Sequence, residues 1–228
     1  MQELFKKYNV ELEPHELVKF EKFLEIFKEK NAVINLSAIR DDAGIIEKHF
    51  IDSVMLNVFV ELEGKVADMG TGGGFPLIPL AIVNPEVQFV GIDSVGKKLK
   101  AIEEFCEKLE IKNVKTLNGR AEAIGQNLDY RESFDFVTSR ATAFFPTLLE
   151  YVVPLLKVGG VFCAYKLDDK EELKSTKKAL SRLSAKILKV KNYNIGGQDR
   201  TIVLIEKLEK TNPKFPRKDG IPLLNPIK

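Results

Sequence analysis

Residues 65–76 have the sequence KVADMGTGGGFP, and this stretch decides the fold. Its first five residues predict a short β-strand, which contains an acid, Asp68, and leads into a loop rich in glycine. Glycine lets the backbone turn sharply and approach a ligand without a clash from Cβ. A strand that leads into such a loop is typical of an α/β sheet that binds a nucleoside at this point.

Two details of the loop separate one kind of nucleoside from another. The dinucleotide fingerprint G-x-G-x-x-G would place glycine at position 75, where this chain has Phe75. A carboxylate at Asp68 would repel a pyrophosphate, whereas S-adenosylmethionine (SAM) offers an ammonium and a sulfonium. We therefore expect Asp68, Gly70, Gly72, Gly74 and Phe75 to belong to a SAM site. The alternative is a strand–turn–helix that binds no ligand.

Two later positions carry candidate groups for the same ligand. Asp93 ends the second predicted strand, 25 residues after Asp68, and an acid near that distance accepts hydrogen bonds from ribose hydroxyls in nucleotide-binding sheets. Residues 119–122 follow the third predicted strand, where a Rossmann-like methyltransferase holds adenine. We expect backbone contacts from Ala121 and an acceptor for the exocyclic amine at Glu122. The alternative for each acid is an exposed turn or helix start.

Strands and helices alternate along the rest of the chain. The remaining strands are predicted at residues 87–93, 114–118, 134–139 and 159–165, the last after a Gly-Gly turn, with helices at 97–109, 143–156 and 170–183. Strands at 186–193 and 201–206 flank Gly196 and Gly197 and predict an antiparallel hairpin. We therefore expect an α/β protein with a Rossmann-like class I SAM methyltransferase fold. Its sheet is predicted to have seven mostly parallel strands with helices on both faces.

Segments on either side of the sheet complete the domain organisation. Residues 14–30 and 42–60 predict helices, the first with an apolar stripe. We expect a helical extension over residues 1–62, a SAM-binding domain over 63–208 and a basic tail over 209–228, all forming one compact unit. The tail is expected to contribute little to the core.

Charge is unevenly distributed along the chain. Lys166–Lys228 contains 16 Lys and Arg against 8 Asp and Glu, whereas Met1–Tyr165 contains 19 against 25. A basic end favours a polyanionic partner, with a solvated lysine-rich surface as the alternative. Cys106 and Cys163 are too few for a disulfide framework and lack metal-type spacing, so we expect no metal. No segment approaches the ~20 apolar residues of a membrane span, and no signal-peptide core is visible, which predicts a cytoplasmic protein without membrane contact.

Several short motifs, taken in order, resemble the RsmG family (also called GidB) of bacterial 16S rRNA guanine-N7 methyltransferases. The matching segments are residues 35–40 (NLSAIR), 49–53 (HFIDS), the glycine loop with Phe75-Pro76, 93–94 with 97–98, 139–141 (SRA), 165–166 and 215–222 (FPRKDGIP). The resemblance runs from about residue 15 to the end. The chain departs from many relatives at Gly73, Leu77 and Leu167.

The resemblance implies an enzyme that uses SAM to methylate N7 of a guanine in a loop of 16S rRNA. The family's SAM contacts fall on Gly70, Phe75, Ala121, Glu122 and Arg140. The partner is then 16S rRNA or the small ribosomal subunit, and we expect the protein to act as a monomer. The family's tail motif also supports RNA contacts from three cations. These are Lys214, Arg217 and Lys218.

This chemistry requires alignment more than proton transfer. Guanine N7 carries a free lone pair, so its methylation requires no general base. Arg140 and Lys166 follow the fourth and fifth strands and are candidate catalytic residues. Arg140 is suited to the SAM carboxylate, a phosphate or guanine O6; the alternative for both is a surface ion pair. His49, Asp52 and Ser53 have the residue types of a hydrolase triad, but no oxyanion loop accompanies them, and we expect supporting or RNA-facing roles.

Two other classes of function remain open. One is a methyltransferase that acts on a small molecule or a protein, against which the basic C-terminal portion argues. The other is a module that binds SAM or RNA without catalysis, which the intact acid and glycine loop disfavour. Retention on heparin and methyl transfer to ribosomal subunits would separate these classes.

Overall fold

The computed structural model describes residues 1–140, 143–167 and 170–227. Ala141 of the predicted family motif and Lys228 of the tail therefore lie outside the described residues. The helical elements are α1 (Gln2–Lys7), α2 (Pro14–Ile34), α3 (Asp42–Ile45), a π-helix (Ile46–Ile51), α4 (Asp52–Val54), a 3₁₀-helix (Met55–Val58), α5 (Leu77–Val83), α6 (Gly96–Lys108), α7 (Ala121–Gln126), α8 (Phe145–Val152), a second 3₁₀-helix (Val153–Leu155), α9 (Lys170–Ser175), α10 (Lys177–Arg182) and α11 (Ile221–Leu224). The strands are β1 (Lys65–Met69), β2 (Gln88–Asp93), β3 (Val114–Asn118), β4 (Phe134–Ser139), β5 (Leu156–Leu167), β6 (Ala185–Ile195) and β7 (Gln198–Lys207).

The seven strands form one sheet in the order β3-β2-β1-β4-β5-β7-β6. The five strands from β3 to β5 in this order run parallel to one another, whereas β7 runs antiparallel to both β5 and β6. The chain winds outward in one direction from β1 through β3 and in the other direction from β4. In such sheets the crevice at the carboxyl ends of the central strands, where the order reverses, binds the ligand. The predicted mostly parallel sheet with a terminal hairpin is confirmed.

Two predicted details of the later elements are wrong. No turn separates α8 from the fifth strand at the glycines: β5 begins at Leu156 and continues through Gly159 and Gly160, with a register shift opposite β4 between Phe134 and Phe136. An added Cβ at Gly160 would lie 3.0 Å from a backbone oxygen of Asp135, so the irregular strand requires glycine there. The predicted helix over 170–183 is interrupted after Ser175 and forms α9 and α10.

Two buried apolar clusters lie on opposite faces of the sheet. One packs the N-terminal helices together with α5 and α6. The other packs α7, α8 and α10 on the opposite face. Both faces are therefore covered, as expected for a largely parallel sheet.

The N-terminal extension is built around α2. Pro14 begins this helix, and Glu13 and Glu16 form a reciprocal capping box at its start. Its apolar stripe buries Phe20, Phe23 and Phe27 completely, and the ring of Phe23 stacks on Phe50 of the π-helix at 5.0 Å. These aromatic contacts fix the π-helix against the glycine loop, because Phe75 lies 5.6 Å from Phe23.

The tail contradicts the expectation that it contributes little to the core. Phe215 is 3% exposed and Ile227 is 2% exposed, and both belong to the cluster formed with α7 and α8. The tail is consequently a packed segment rather than a loose basic extension. Within the described part of the chain, no helix combines the length and apolar character that crossing a bilayer requires.

Candidate cofactor and substrate site

The glycine loop places backbone groups at the carboxyl end of β1. Gly70, Gly72 and Gly74 all have positive φ angles, of 74°, 55° and 91°, which residues with a Cβ rarely adopt. An added Cβ at Gly74 would also lie 2.9 Å from Cδ1 of Ile78. The backbone conformation therefore favours glycine at all three positions, and packing against Ile78 also favours it at Gly74.

Asp68 lies beneath this loop in an unusual environment for a carboxylate. The residue is 1% exposed, and its Oδ1 accepts a hydrogen bond of 2.9 Å from the hydroxyl of Thr138, its neighbour in register on β4. Its Oδ2 is buried without a hydrogen-bond partner among the described residues. Burial raises the pKa of Asp68 to about 6. A buried acceptor without a partner is costly unless a ligand supplies a donor.

Asp93 connects the end of β2 to the glycine loop. Its Oδ2 accepts a hydrogen bond of 3.0 Å from the amide of Gly72, and its Oδ1 accepts one of 2.8 Å from the amide of Val95. A carboxylate has about four acceptor positions, so two remain for ligand hydroxyls. Asp93 can thus orient the loop and bind a ligand together.

A cleft of about 240 Å³ lies over the ends of these strands. Of the predicted cofactor residues, Gly70, Asp93, Ala121 and Glu122 line it. Among its other lining residues, Gly119 and Arg120 belong to the predicted adenine segment and Ser94 and Gly220 to segments that match the family, whereas the rest were not singled out from the sequence. These last are Met69, Ile92, Ala143, Leu148, Tyr151 and Leu223.

Glu122 is held by the tail as well as by its own helix. It is 4% exposed, and its Oε1 accepts a hydrogen bond of 3.0 Å from the amide of Gly220. Tyr151, which lines the same cleft, has its pKa raised to about 12 by burial and by the negative charge of Glu122. The predicted adenine acceptor is therefore a buried carboxylate at the wall of the cleft.

Phe75 does not line the cleft. Its ring is 6% exposed and packs between the aromatic side chains of the N-terminal helices, with His49 stacked on it at 4.5 Å. The guanidinium of Arg140 lies over the ring, 5.3 Å from its centroid. The structure thus places Phe75 between the glycine loop and Arg140, where it fixes both by packing.

Arg140 is held by the N-terminal extension. Its Nη1 donates to the backbone oxygen of Lys48 at 2.9 Å and to Oδ2 of Asp52 at 3.1 Å, and its Nη2 donates to Nδ1 of His49 at 3.1 Å. The other carboxylate oxygen of Asp52 accepts a hydrogen bond of 2.8 Å from Tyr193 of β6. Residues 48–52 therefore hold the guanidinium at the carboxyl end of β4, and β6 supports them through Tyr193.

The three residues that could have formed a hydrolase triad serve other purposes. Nδ1 of His49 lies 3.1 Å from both Nη2 of Arg140 and the backbone oxygen of Lys48, and Nε2 lies 2.7 Å from the hydroxyl of Ser37. Burial lowers the pKa of His49 to about 3, so the ring is neutral. The hydroxyl of Ser53 donates to the backbone oxygen of His49 at 2.5 Å, within the helix. The imidazole is hydrogen-bonded to Ser37 rather than to Ser53, so His49, Asp52 and Ser53 do not form a triad.

Lys166 forms a partly buried ion pair rather than an open cation. Its Nζ lies 2.7 Å from Oε1 of Glu172, and the side chain is 12% exposed. The ammonium also lies 5.1 Å from the ring centroid of Phe145. Lys166 is therefore held near the entrance to α8, and its candidate catalytic role stays a prediction.

Of the three predicted RNA-binding cations, Arg217 requires correction. Its guanidinium forms a forked ion pair with Glu150 of α8, whose carboxylate is fully buried, at 2.8 and 2.7 Å. A further donor is engaged with the backbone oxygen of Asn225 at 2.8 Å. Arg217 is thus a structural anchor, because removing it would leave a buried charge unpaired. Lys214 and Lys218 are exposed, and their RNA contacts stay a prediction.

The residues that the sequence-based reasoning missed share one property. Thr138, Tyr193, Glu150 and Leu223 contact their partners only through the tertiary fold, from 67 to 141 residues away where a hydrogen bond is made. Thr138 alone had a usable signal, since it lies one residue before the end of a strand expected beside β1. Within the described residues, no cluster of His, Cys, Asp and Glu is arranged to hold a metal ion.

Comparison with solved structures finds the same fold in SAM-dependent methyltransferases. A SAM-dependent methyltransferase from Aquifex aeolicus matches with a TM-score of 0.56 and 21% identity, over 73% of this chain and 94% of that one. The M. jannaschii TYW2 protein, solved in complex with AdoMet, matches with a TM-score of 0.56 and 16% identity, over 70% and 76%. At these identities the likeness concerns the fold alone.

Sequence comparison gives a nearer relation. The family model for GidB, described as rRNA small subunit methyltransferase G, matches residues 16–203. Proteins named ribosomal RNA small subunit methyltransferase G from Desulfitobacterium hafniense and Acetivibrio thermocellus are 43% and 41% identical. The alignments cover 97% and 96% of this chain, and 93% and 92% of those proteins. The chain belongs to the GidB family, the rRNA small subunit methyltransferases G.

Proposed function

We propose that this chain binds SAM and transfers its methyl group to N7 of a guanine in a loop of 16S rRNA. The observation that carries the proposal is the cleft at the carboxyl ends of β1 and β2, where Gly70 of the glycine loop, Asp93 and Glu122 come together. The family membership supports the rRNA substrate, and the family's resemblance supports the N7 position.

The residues present fit this cofactor. Asp68 offers a buried carboxylate oxygen without a partner, which suits a ligand that carries positive charge. Asp93 keeps free acceptor positions for two hydroxyls, and Glu122 brings a carboxylate to the wall of the cleft, where it can accept from an amine. A dinucleotide would instead bring a pyrophosphate next to Asp68, and the two negative charges would repel each other.

The protein's part in the reaction is to position the cofactor and the target base and to exclude water from the space between them. SAM supplies an electrophilic methyl group when bound, and N7 of guanine supplies a lone pair that needs no deprotonation. Arg140, held by Asp52 and His49, presents a fixed positive charge at the end of β4. We assign it to a negative group of the cofactor or the RNA. Such alignment is worth up to about 7–11 kcal/mol in well-oriented reactions.

Neither of the two side chains that are hydrogen-bonded to the guanidinium of Arg140, His49 and Asp52, is suited to remove a proton from the substrate. His49 has both ring nitrogens engaged and a pKa of about 3, and Asp52 is held in an ion pair with Arg140. An acceptor that required deprotonation, such as an exocyclic amine or a hydroxyl, would lack a base among these groups. The lack of a base at these two positions supports N7 over the other positions of guanine.

The test is methyl transfer to small ribosomal subunits from a strain that lacks its own member of this family. Purified protein and labelled SAM should introduce one methyl group per 16S rRNA. Borohydride reduction followed by aniline should then cleave the RNA at that site, because this treatment is selective for N7-methylguanosine. Label that enters protein, or RNA that resists cleavage, would contradict the proposal. Subunits from a strain with its own active enzyme are the matched control.

A further inference from the structure

The C-terminal segment, residues 213–224, reaches the cleft from the face opposite the N-terminal helices. Its backbone is fastened to two loops of the sheet domain by long side chains. The amide of Gln126 donates to the backbone oxygen of Pro216 at 2.7 Å, and Arg131 donates to that of Phe215 at 2.7 Å. Pro216 packs so closely on Gly125 that an added Cβ there would lie 2.8 Å from its ring.

Further contacts fix the part of the segment nearest to the cleft. Arg217 pairs with the buried Glu150, and the hydroxyl of Thr147 donates to the backbone oxygen of Pro222 at 2.8 Å. Both partners belong to α8, which also contributes Leu148 and Tyr151 to the cleft. The position of α11 relative to the cleft is therefore set by buried polar contacts, whose loss is expensive.

Two residues of this segment line the cleft itself. Gly220 is one of them, and its amide donates a hydrogen bond of 3.0 Å to Oε1 of Glu122. Leu223, on α11, is the other, and its side chain is 63% exposed. Leu224 is 83% exposed and is absent from the lining, so the two neighbouring leucines differ in their relation to the cleft.

We propose that the C-terminal segment forms the outer wall of the cofactor site and that Leu223 contacts the nucleoside half of SAM. This inference rests on the proposed function. The nucleoside half belongs in this cleft because Asp93 and Glu122, the acceptors suited to ribose and adenine, line it together with Leu223. An apolar side chain pinned beside such a cleft loses its contact with water when a flat ring covers it.

The test compares Leu223→Ala with Leu224→Ala by calorimetry, using SAM and 5′-methylthioadenosine, which lacks the amino-acid part of SAM. Leu223→Ala should weaken the binding of both ligands about tenfold and by equal factors, since losing most of the burial of a leucine side chain lowers affinity by about this much. Leu224→Ala, the matched control, should bind both ligands as the unchanged protein does. Thermal unfolding of both variants checks that the segment stays folded, and Leu223→Gln should weaken binding as Leu223→Ala does.

Three outcomes would overturn the proposal, and each differs from the others. Equal affinity of Leu223→Ala and Leu224→Ala for SAM would remove Leu223 from the site. A loss seen with SAM but absent with 5′-methylthioadenosine would place Leu223 at the amino-acid half. Failure of the unchanged protein to bind either ligand would overturn the proposed function itself, and the wall with it.

Discussion

At the scale of single residues, the charge on Asp68 is expected to favour SAM binding but to lower the stability of the ligand-free protein. Replacing Asp68 with Asn should weaken SAM binding about 10- to 100-fold, because a charge-assisted contact worth about 1.5–3 kcal/mol is lost. The affinity of the unchanged protein should decline as pH falls through about 6, the pKa of Asp68, since only the ionised form attracts a cation. Calorimetry across this range checks both expectations. An Asn variant whose affinity matches that of the unchanged protein would contradict the placement.

The same substitution should have the opposite effect on the ligand-free protein. The folded protein holds a proton on Asp68 more tightly than the unfolded chain does, so stability falls as pH rises from 3.8, the ordinary pKa of an aspartate, to about 6, the pKa in the folded protein. Above that pH the ionised form costs up to about 3 kcal/mol, which is the shift of about two pKa units expressed as free energy. Asp68→Asn should therefore raise the free energy of unfolding near neutral pH and flatten its pH dependence. Urea denaturation measures this; an unchanged midpoint would show that burial does not strain the carboxylate.

Asp52 controls Arg140 in a way that two substitutions can separate. Asp52→Asn keeps the volume but removes the charge that pairs with the guanidinium, so we expect kcat/KM to fall by about tenfold or more. Tyr193→Phe removes only the hydrogen bond to Asp52, worth about 1 kcal/mol, and should have a smaller effect. Steady-state kinetics on small subunits would measure both. Similar kinetics in Asp52→Asn and in the unchanged protein would show that Arg140 needs no such support.

At the scale of elements, the C-terminal segment divides its cations between two tasks. Lys214→Ala together with Lys218→Ala should weaken RNA binding and make its log–log salt slope shallower by roughly 1.4, or about 0.7 per phosphate contact to a single strand. SAM affinity should be unaffected. Lys108→Ala with Lys112→Ala removes the same charge at the opposite end of the sheet, next to the start of β3, and serves as the control. Filter binding at several salt concentrations would measure RNA affinity and salt slope for both double variants. Equal affinities and slopes in the two variants would contradict a tail that contacts phosphates.

Some elements could be predicted from the sequence, and others required the fold. β1, β3 and β4 were predicted with their observed bounds, because short β-prone runs end at sharp polar or glycine-rich boundaries. The π-helix Ile46–Ile51 carries no local signal, since its extra residue per turn is stabilised by Arg140 and the aromatic cluster around it. The same holds for Arg217, whose lysine-rich neighbours favour a solvated cation and whose buried partner lies 67 residues away.

At the scale of the whole molecule, the reaction should be insensitive to pH over a wide range. With saturating SAM and RNA, we expect a single-turnover rate that is nearly flat from about pH 6.5 to about pH 9, since N7 needs no base and Arg140 stays charged throughout. His49 does not titrate in that range, because its pKa is about 3. Rapid-quench measurements across the range are the test. A rate that rises about tenfold per pH unit would indicate an acceptor that must be deprotonated.

The candidate site was predicted from the sequence only on its inner side. Glycines and acids at strand ends mark the floor of the cleft, since they must follow strands whatever packs above them. Its outer side is made by α8 and α11, whose residues look like ordinary core or surface positions in the sequence. Leu223 and Tyr151 become recognisable only when the sheet, α8 and the tail are brought together.

The insertion of β7 between β5 and β6 sets an order on biosynthesis. Among the described strands, β6 pairs with β7 alone. Because β6 is translated before β7, it has no partner strand in the sheet until β7 has been synthesised. Until β7 emerges, β5 presents an open edge to any other nascent chain, the situation that favours misassembly. Lys186, Lys189 and Lys191 on β6 give the waiting strand a charge that discourages such pairing. Assembly of the sheet would thus depend on the last strand being translated without delay.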